Sequence, residues 1–187
     1  MGGVIVPTLV YGLLAGIIAA IARGDGLILS LAYIVLAIGF LQPLAFGFTM
    51  MFLNFARDGK QPAVSDLFGA FNETYYKKSV IAMLLVGIYT FLWSLLLIVP
   101  GIIKGLGYSM TAMILAENPG LGANEAIDRS AAMMDGHKMD LFLILLGYVG
   151  LALLSALLLF IPMLWIVPYY NTVLAKFYLE FKNEQTA

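Results

Sequence analysis

The sequence predicts an all-α protein, a polytopic transmembrane bundle of about six helices paired as three hairpins, with two amphipathic segments between them. Residues 1–22, 26–56, 79–103 and 141–175 carry no Asp, Glu, Lys or Arg, and a bilayer core needs roughly 20 apolar residues per helical crossing. Hydrophobic residues make up 62% of the chain and charged residues 11%, against roughly 45–50% and 25% in soluble domains. A soluble fold of 187 residues has too little interior to hide that surface. The whole chain is therefore expected to form one membrane domain.

The first helix is expected over residues 4–22. It ends at Ala20-Ile21-Ala22, which has the small residues of a signal-peptidase site. Met1-Gly2-Gly3 lacks the positive n-region of a secretory signal and the run is long enough to span, so no cleavage is expected. Val6 stands where a myristoylated Gly2 requires Ser or Thr. Arg23-Gly24-Asp25-Gly26 then makes a polar turn. The second helix, residues 27–55, exceeds a standard span and holds Gln42-Pro43 near its middle. Neither half crosses alone, so one tilted and kinked helix is expected.

Proline sets the remaining boundaries, because within a helix it removes a hydrogen bond and clashes with the preceding turn. A third helix over 79–99 is expected to stop at Pro100-Gly101, and a fourth returns over 102–116. The rival arrangement lays 102–116 in the membrane interface. Pro162 splits the last run into helices over 141–161 and 163–180. Leu95-Leu96-Leu97-Ile98-Val99-Pro100 is echoed by Leu157-Leu158-Leu159-Phe160-Ile161-Pro162, and Tyr108 and Tyr170 each follow the proline at the same spacing. Gly12-x-x-x-Gly16 is expected to pack against a neighbouring helix, and Gly101-x-x-x-Gly105 to belong to the turn after Pro100.

The polar segments between hairpins are predicted to be amphipathic helices on the membrane surface, over residues 65–76 and 122–137. In the first, Asp66 is the expected cap, with Leu67, Phe68, Phe71 and Tyr75 at helical spacing. In the second, Ala123, Ala126, Ile127, Ser130, Ala131 and Met134 form an apolar stripe. Nearly all basic residues fall on one side of this topology: Arg57, Lys60, Lys77, Lys78, Arg129, Lys138, Lys176 and Lys182, against Arg23 and Lys104 on the other. By the positive-inside rule both termini are cytoplasmic, in an inner membrane, with Trp93 and Trp165 near the outer turns.

Candidate polar sites within the membrane are Gln42, Lys104, Tyr108 and Asn171, because polar groups are costly in hydrocarbon. Lys104 is expected to snorkel to the outer interface or to face the bundle with Tyr108. Gln42 and Asn171 either satisfy backbone freed by the nearby prolines or line a polar cavity. Lys77, Lys78, Arg129, His137 and Lys138 form a candidate cytoplasmic surface for anionic lipid or a protein partner. His137 is the single histidine and there is no cysteine; with Asp135 and Asp140 it makes a weak metal signal, so neither metal nor other cofactor is expected. A net charge of −1 argues against nucleic acid. No nucleophile elbow, phosphate loop or dinucleotide fingerprint is present.

Pro100-Gly101-Ile102-Ile103-Lys104, Tyr108-Ser109-Met110, Ile114-Leu115-Ala116, Glu125-Ala126-Ile127, Ser130, Met134, Gly136-His137-Lys138, Phe142, Pro168-Tyr169 and Phe177-Tyr178 occur in one ordered series. The series resembles the bacterial membrane family called domain of unknown function 975, from about Trp93 to Tyr178. Family members usually begin with a basic amphipathic segment, absent here, and often carry Trp where Leu151 stands. The start is accordingly natural, truncated or redesigned relative to the family. The resemblance implies a multi-spanning bacterial membrane protein and no particular activity. The expected function is a non-enzymatic membrane bundle that binds lipid or a partner, with homo-oligomerisation left open. A small-solute or ion transporter is the alternative, and an intramembrane enzyme comes third.

Overall fold

The computed structural model describes residues 2–21, 26–157 and 161–186. Arg23-Gly24-Asp25, Ala22 at the end of the stretch where no cleavage is expected, and the Leu158–Phe160 part of the repeated motif lie outside the described residues. Every regular element among the described residues is helical: α1 (Gly2–Ile21), α2 (Leu27–Leu36), a π turn (Ala37–Leu41), α3 (Gln42–Asp58), α4 (Val64–Leu67), α5 (Tyr76–Leu96), α6 (Ile98–Tyr108), α7 (Thr111–Glu117), α8 (Ala123–Met133), α9 (Lys138–Leu157) and α10 (Met163–Thr186). Four stretches, Ile28–Asp58, Tyr76–Leu96, Ile98–Glu117 and Lys138–Ala156, are long and apolar enough to cross a membrane, and Val4–Ala20 is a shorter apolar helix.

α2 and α3 run on as one helix through the π turn, where the Gln42 amide N–H bonds the Ala37 carbonyl. Pro43 has no N–H to give the carbonyl of Gly39 four residues earlier. The Tyr76 hydroxyl donates to that carbonyl instead, at 2.9 Å. Gln42, which the sequence left either to satisfy freed backbone or to line a polar cavity, stands one residue before Pro43, and the bond to Gly39 comes from Tyr76.

α3 is the central element. Phe46 and Leu53 pack into one core with Met110, Leu115, Met134 and Tyr178. Leu44, Phe48, Met51 and Phe52 pack into a second with Val4 and Leu67. Between these faces lies Gly47, where a Cβ would come 2.0 Å from the Leu67 carbonyl oxygen. Only a bare backbone admits α4 this closely.

That docking overturns the predicted amphipathic helix over 65–76. Helix is confined to Val64–Leu67, and residues 68–75 form turns. Asn72 competes with the helical ladder through its side chain, donating to Gly69 O at 2.6 Å and accepting from Tyr75 N at 3.0 Å. Phe71 packs on Phe40, with ring centres 5.3 Å apart. Asp66 does cap α4, but from its third position: its carboxylate accepts from the Ala63 N–H and from Lys60.

The break between α5 and α6 falls at Leu97, whose backbone is extended, not at Pro100-Gly101. Pro100 sits in the first turn of α6, where its missing N–H leaves no helical bond unmade. Both glycine motifs depart from their expected roles. Gly101 faces Ser94, whose Cα would lie 2.8 Å from an added Cβ, and Gly105 faces Thr90, so the second motif is the α5–α6 packing seam. Gly12 and Gly16 meet nothing within 4 Å.

α8 does not lie free on a surface. Ala126, Ile127, Ser130 and Met133 are buried, and Ser130 fastens the break between α6 and α7. Its hydroxyl donates to Gly107 O at 2.7 Å and accepts from Met110 N at 3.1 Å. The apolar stripe read from the sequence is covered by protein.

Candidate functional site

An apolar recess opens between the N-terminal end of α1, the C-terminal end of α3 and the first half of α10. It holds about 360 Å³ and is bordered by Val4, Ile5, Phe55, Gln61, Trp165 and Tyr169. The chain builds it with Pro168 inside α10. Asn171 donates to Val167 O at 2.9 Å and Thr172 to Pro168 O at 2.8 Å, so the polar atoms beside the proline are spent on their own helix and the recess stays apolar. Trp165 and Tyr169 are 51% and 64% exposed, which puts amphipathic rings at its mouth. A groove of this composition accepts a hydrocarbon chain and offers little to a charged solute.

A second cavity, about 370 Å³, lies between α5, α6, α9 and α10. Thr90, Ser94, Ser109 and Tyr170 contribute hydroxyls to its lining. Tyr170 also packs on Tyr148 of α9 at 4.3 Å, and Tyr108 of α6 on Tyr89 of α5 at 6.3 Å. Each of the two tyrosines noted after a proline therefore meets a tyrosine of the preceding helix.

The intramembrane candidates do not gather round one cavity. Gln42 begins α3, Asn171 bonds its own helix, and Tyr108 belongs to the Tyr89 pair. Lys104 places its Nζ 4.9 Å from the centre of the Trp93 ring, a cation–π contact. The basic candidates are equally dispersed. Lys77 is exposed, Lys78 bonds the Pro119 carbonyl, and Arg129 pairs with Glu125 at 3.0 Å. His137 stacks on Phe181 at 3.8 Å and approaches Asp140 at 3.6 Å. Lys138 pairs with Asp135 at 3.1 Å, its stem lying over Gly107.

Sequence reasoning missed Glu117. Its side chain is 6% exposed, and its carboxylate accepts from the Tyr178 hydroxyl at 2.6 Å, from Lys182 at 2.7 Å and from Arg57 at 3.5 Å. One carboxylate thereby ties together the ends of α3, α7 and α10. A signal was available: Glu117 is the first acid after an uncharged stretch, and Tyr178 and Lys182 stand four apart on α10. Nothing in the sequence paired them. The groove was missed as well, because its walls come from three distant segments.

The family model described as Protein of unknown function (DUF975) matches residues 95–185. This is the family whose ordered residues the sequence displays, and the match takes in Ser130, Glu117 and Tyr178 but not α1 or α3. No curated protein and no solved structure matches the chain.

Proposed function

We propose that this chain, half of which matches a family of unknown function, is a non-enzymatic, multi-spanning membrane protein that holds a lipid acyl chain in the groove between α1, α3 and α10. The observation that carries the reading is the groove's apolar lining, bordered by Trp165 and Tyr169, on a molecule whose exposed surface is itself aliphatic. Six crossings with both termini in the cytoplasm of a bacterial inner membrane accord with the basic residues at one end. That arrangement is supported by the way Glu117 gathers Arg57 and Lys182, and Lys78 reaches Pro119. The exposed Lys77 and Arg129 at the same end suit an anionic lipid surface or an acidic protein partner.

The test is lipid retained by the purified protein, measured by native mass spectrometry. Ile5→Trp plugs the groove. Excluding even two methylenes, at about 0.8 kcal/mol each, lowers affinity roughly ten-fold, so retained lipid should fall accordingly while helicity and Tm are kept. Equal lipid in both proteins would sink the reading. Solute passage is the second reading, favoured by the hydroxyl-lined cavity between α5, α6, α9 and α10. Liposome flux that Lys104→Ala leaves unchanged, or no flux at all, would reject it.

A further inference from the structure

The turn between α5 and α6 carries two features that the groove does not use. Leu95, Leu96, Leu97, Ile98 and Val99 are 67%, 71%, 67%, 76% and 65% exposed. A hairpin end that reached water would be expected to carry Gly, Asn, Asp or Ser. Aliphatic surface in water costs about 25 cal/mol per Å², so this turn belongs in hydrocarbon. Close beside it, the Lys104 ammonium rests against Trp93. It has no carboxylate partner among the described residues.

α6 starts at the turn, and helical side chains lean toward their helix's N-terminus, so the Lys104 stem leans toward Leu97. An ammonium at an apolar end of a bundle, on the face of a tryptophan and without a carboxylate partner among the described residues, is open to an anion supplied from outside. The exposed aliphatic turn from which α6 starts selects an anion attached to acyl chains over a free one.

We propose that Lys104 and Trp93 hold the phosphodiester of an anionic phospholipid at this end of the molecule, its acyl chains lying along the Leu95–Val99 turn. The site rests on the lipid-binding reading only in taking lipid as its ligand; it is a different surface from the groove, on different helices.

The test uses the full chain in nanodiscs of phosphatidylcholine containing phosphatidylglycerol, with spin-labelled forms of each lipid to measure the fraction immobilised by protein. A lysine near the membrane surface is worth about five-fold in anionic-lipid association, so Lys104→Gln should cut the phosphatidylglycerol preference by about that factor. Lys104→Arg should retain it, and Trp93→Leu should lose part of it. Because the chain has no cysteine, a nitroxide on Leu97→Cys reports the turn alone, and it should be more open to oxygen than to a water-soluble nickel chelate. An unchanged preference in Lys104→Gln overturns the site. So does displacement of the lipid by inorganic phosphate, or a label at Leu97 open to nickel or shielded from both quenchers. If Lys104→Gln has no effect while Ile5→Trp still empties the groove, the site falls and the groove stands; the reverse pattern rejects the groove alone.

Discussion

Glu117, its side chain 6% exposed, is the most buried carboxylate in the ion pairs of the described residues. Tyr178 and Lys182 share one of its oxygens, and Arg57 approaches the other. Removing Glu117 leaves the buried Tyr178 hydroxyl without its acceptor, at about 1–3 kcal/mol, while Arg57 and Lys182, 45% and 40% exposed, turn to solvent. Glu117→Ala should therefore lower the detergent-solubilised Tm. Tyr178→Phe, which deletes one hydrogen bond to a charged group, should cost about 2 kcal/mol. A Tm unchanged in both would mean that the knot contributes nothing. The same reasoning applies to Tyr76: Tyr76→Phe leaves the Gly39 carbonyl beside Pro43 without its donor and should destabilise by about 1–3 kcal/mol, read as a loss of Tm relative to wild type.

The elements are held together by close approaches that single residues permit. α4 reaches α3 because position 47 is glycine, so Gly47→Ala forces two backbones apart and should cost about 1–3 kcal/mol. Hydrogen exchange should then rise in residues 59–75 before anywhere else; uniform protection across the chain would count against this account. α8 depends on Ser130. Ser130→Ala leaves the Gly107 carbonyl and the Met110 N–H unpaired at the α6–α7 break, for about 1–3 kcal/mol each. Faster exchange should appear together in α8 and at residues 107–111, and exchange confined to α8 would show that the two are not coupled. These contacts explain why two surface helices expected from amphipathic spacing became one short docked turn and one buried strut. Periodicity reports which face is apolar, not whether lipid or protein covers it.

At the scale of the whole molecule, charge and apolar surface are separated. Arg57 of α3 and Lys182 of α10 meet at Glu117 of α7, while the α5–α6 turn is bare aliphatic surface. On the proposed topology, reporter fusions at the C-terminus and at Gly120 should read as cytoplasmic, and one at Leu97 as outside or membrane-buried. A Gly120 fusion that reports outside would invert the topology. Charge reversal should also separate the two neighbouring lysines. Lys77→Glu should weaken association with anionic vesicles without a stability loss, since Lys77 is exposed; Lys78→Glu should do both, since Lys78 also bonds Pro119. Vesicle co-sedimentation alongside Tm distinguishes them.

The sequence by itself determined the class of protein and the rough course of its helices. Uncharged runs of spanning length have few stable alternatives to helix, because every backbone group must be satisfied within the segment. It also carried the resemblance to the family whose model matches residues 95–185, in an ordered series of residues from Trp93 to Tyr178. Only the tertiary structure decided that the α5–α6 break falls at Leu97 and not at Pro100, which glycine motif packs, and what answers Gly39, Ser130 and Glu117. Those choices depend on partners tens of residues away: Tyr76 for Gly39, Gly107 for Ser130, Tyr178 for Glu117. Local spacing records a residue's own preferences and cannot name the neighbour that will overrule them.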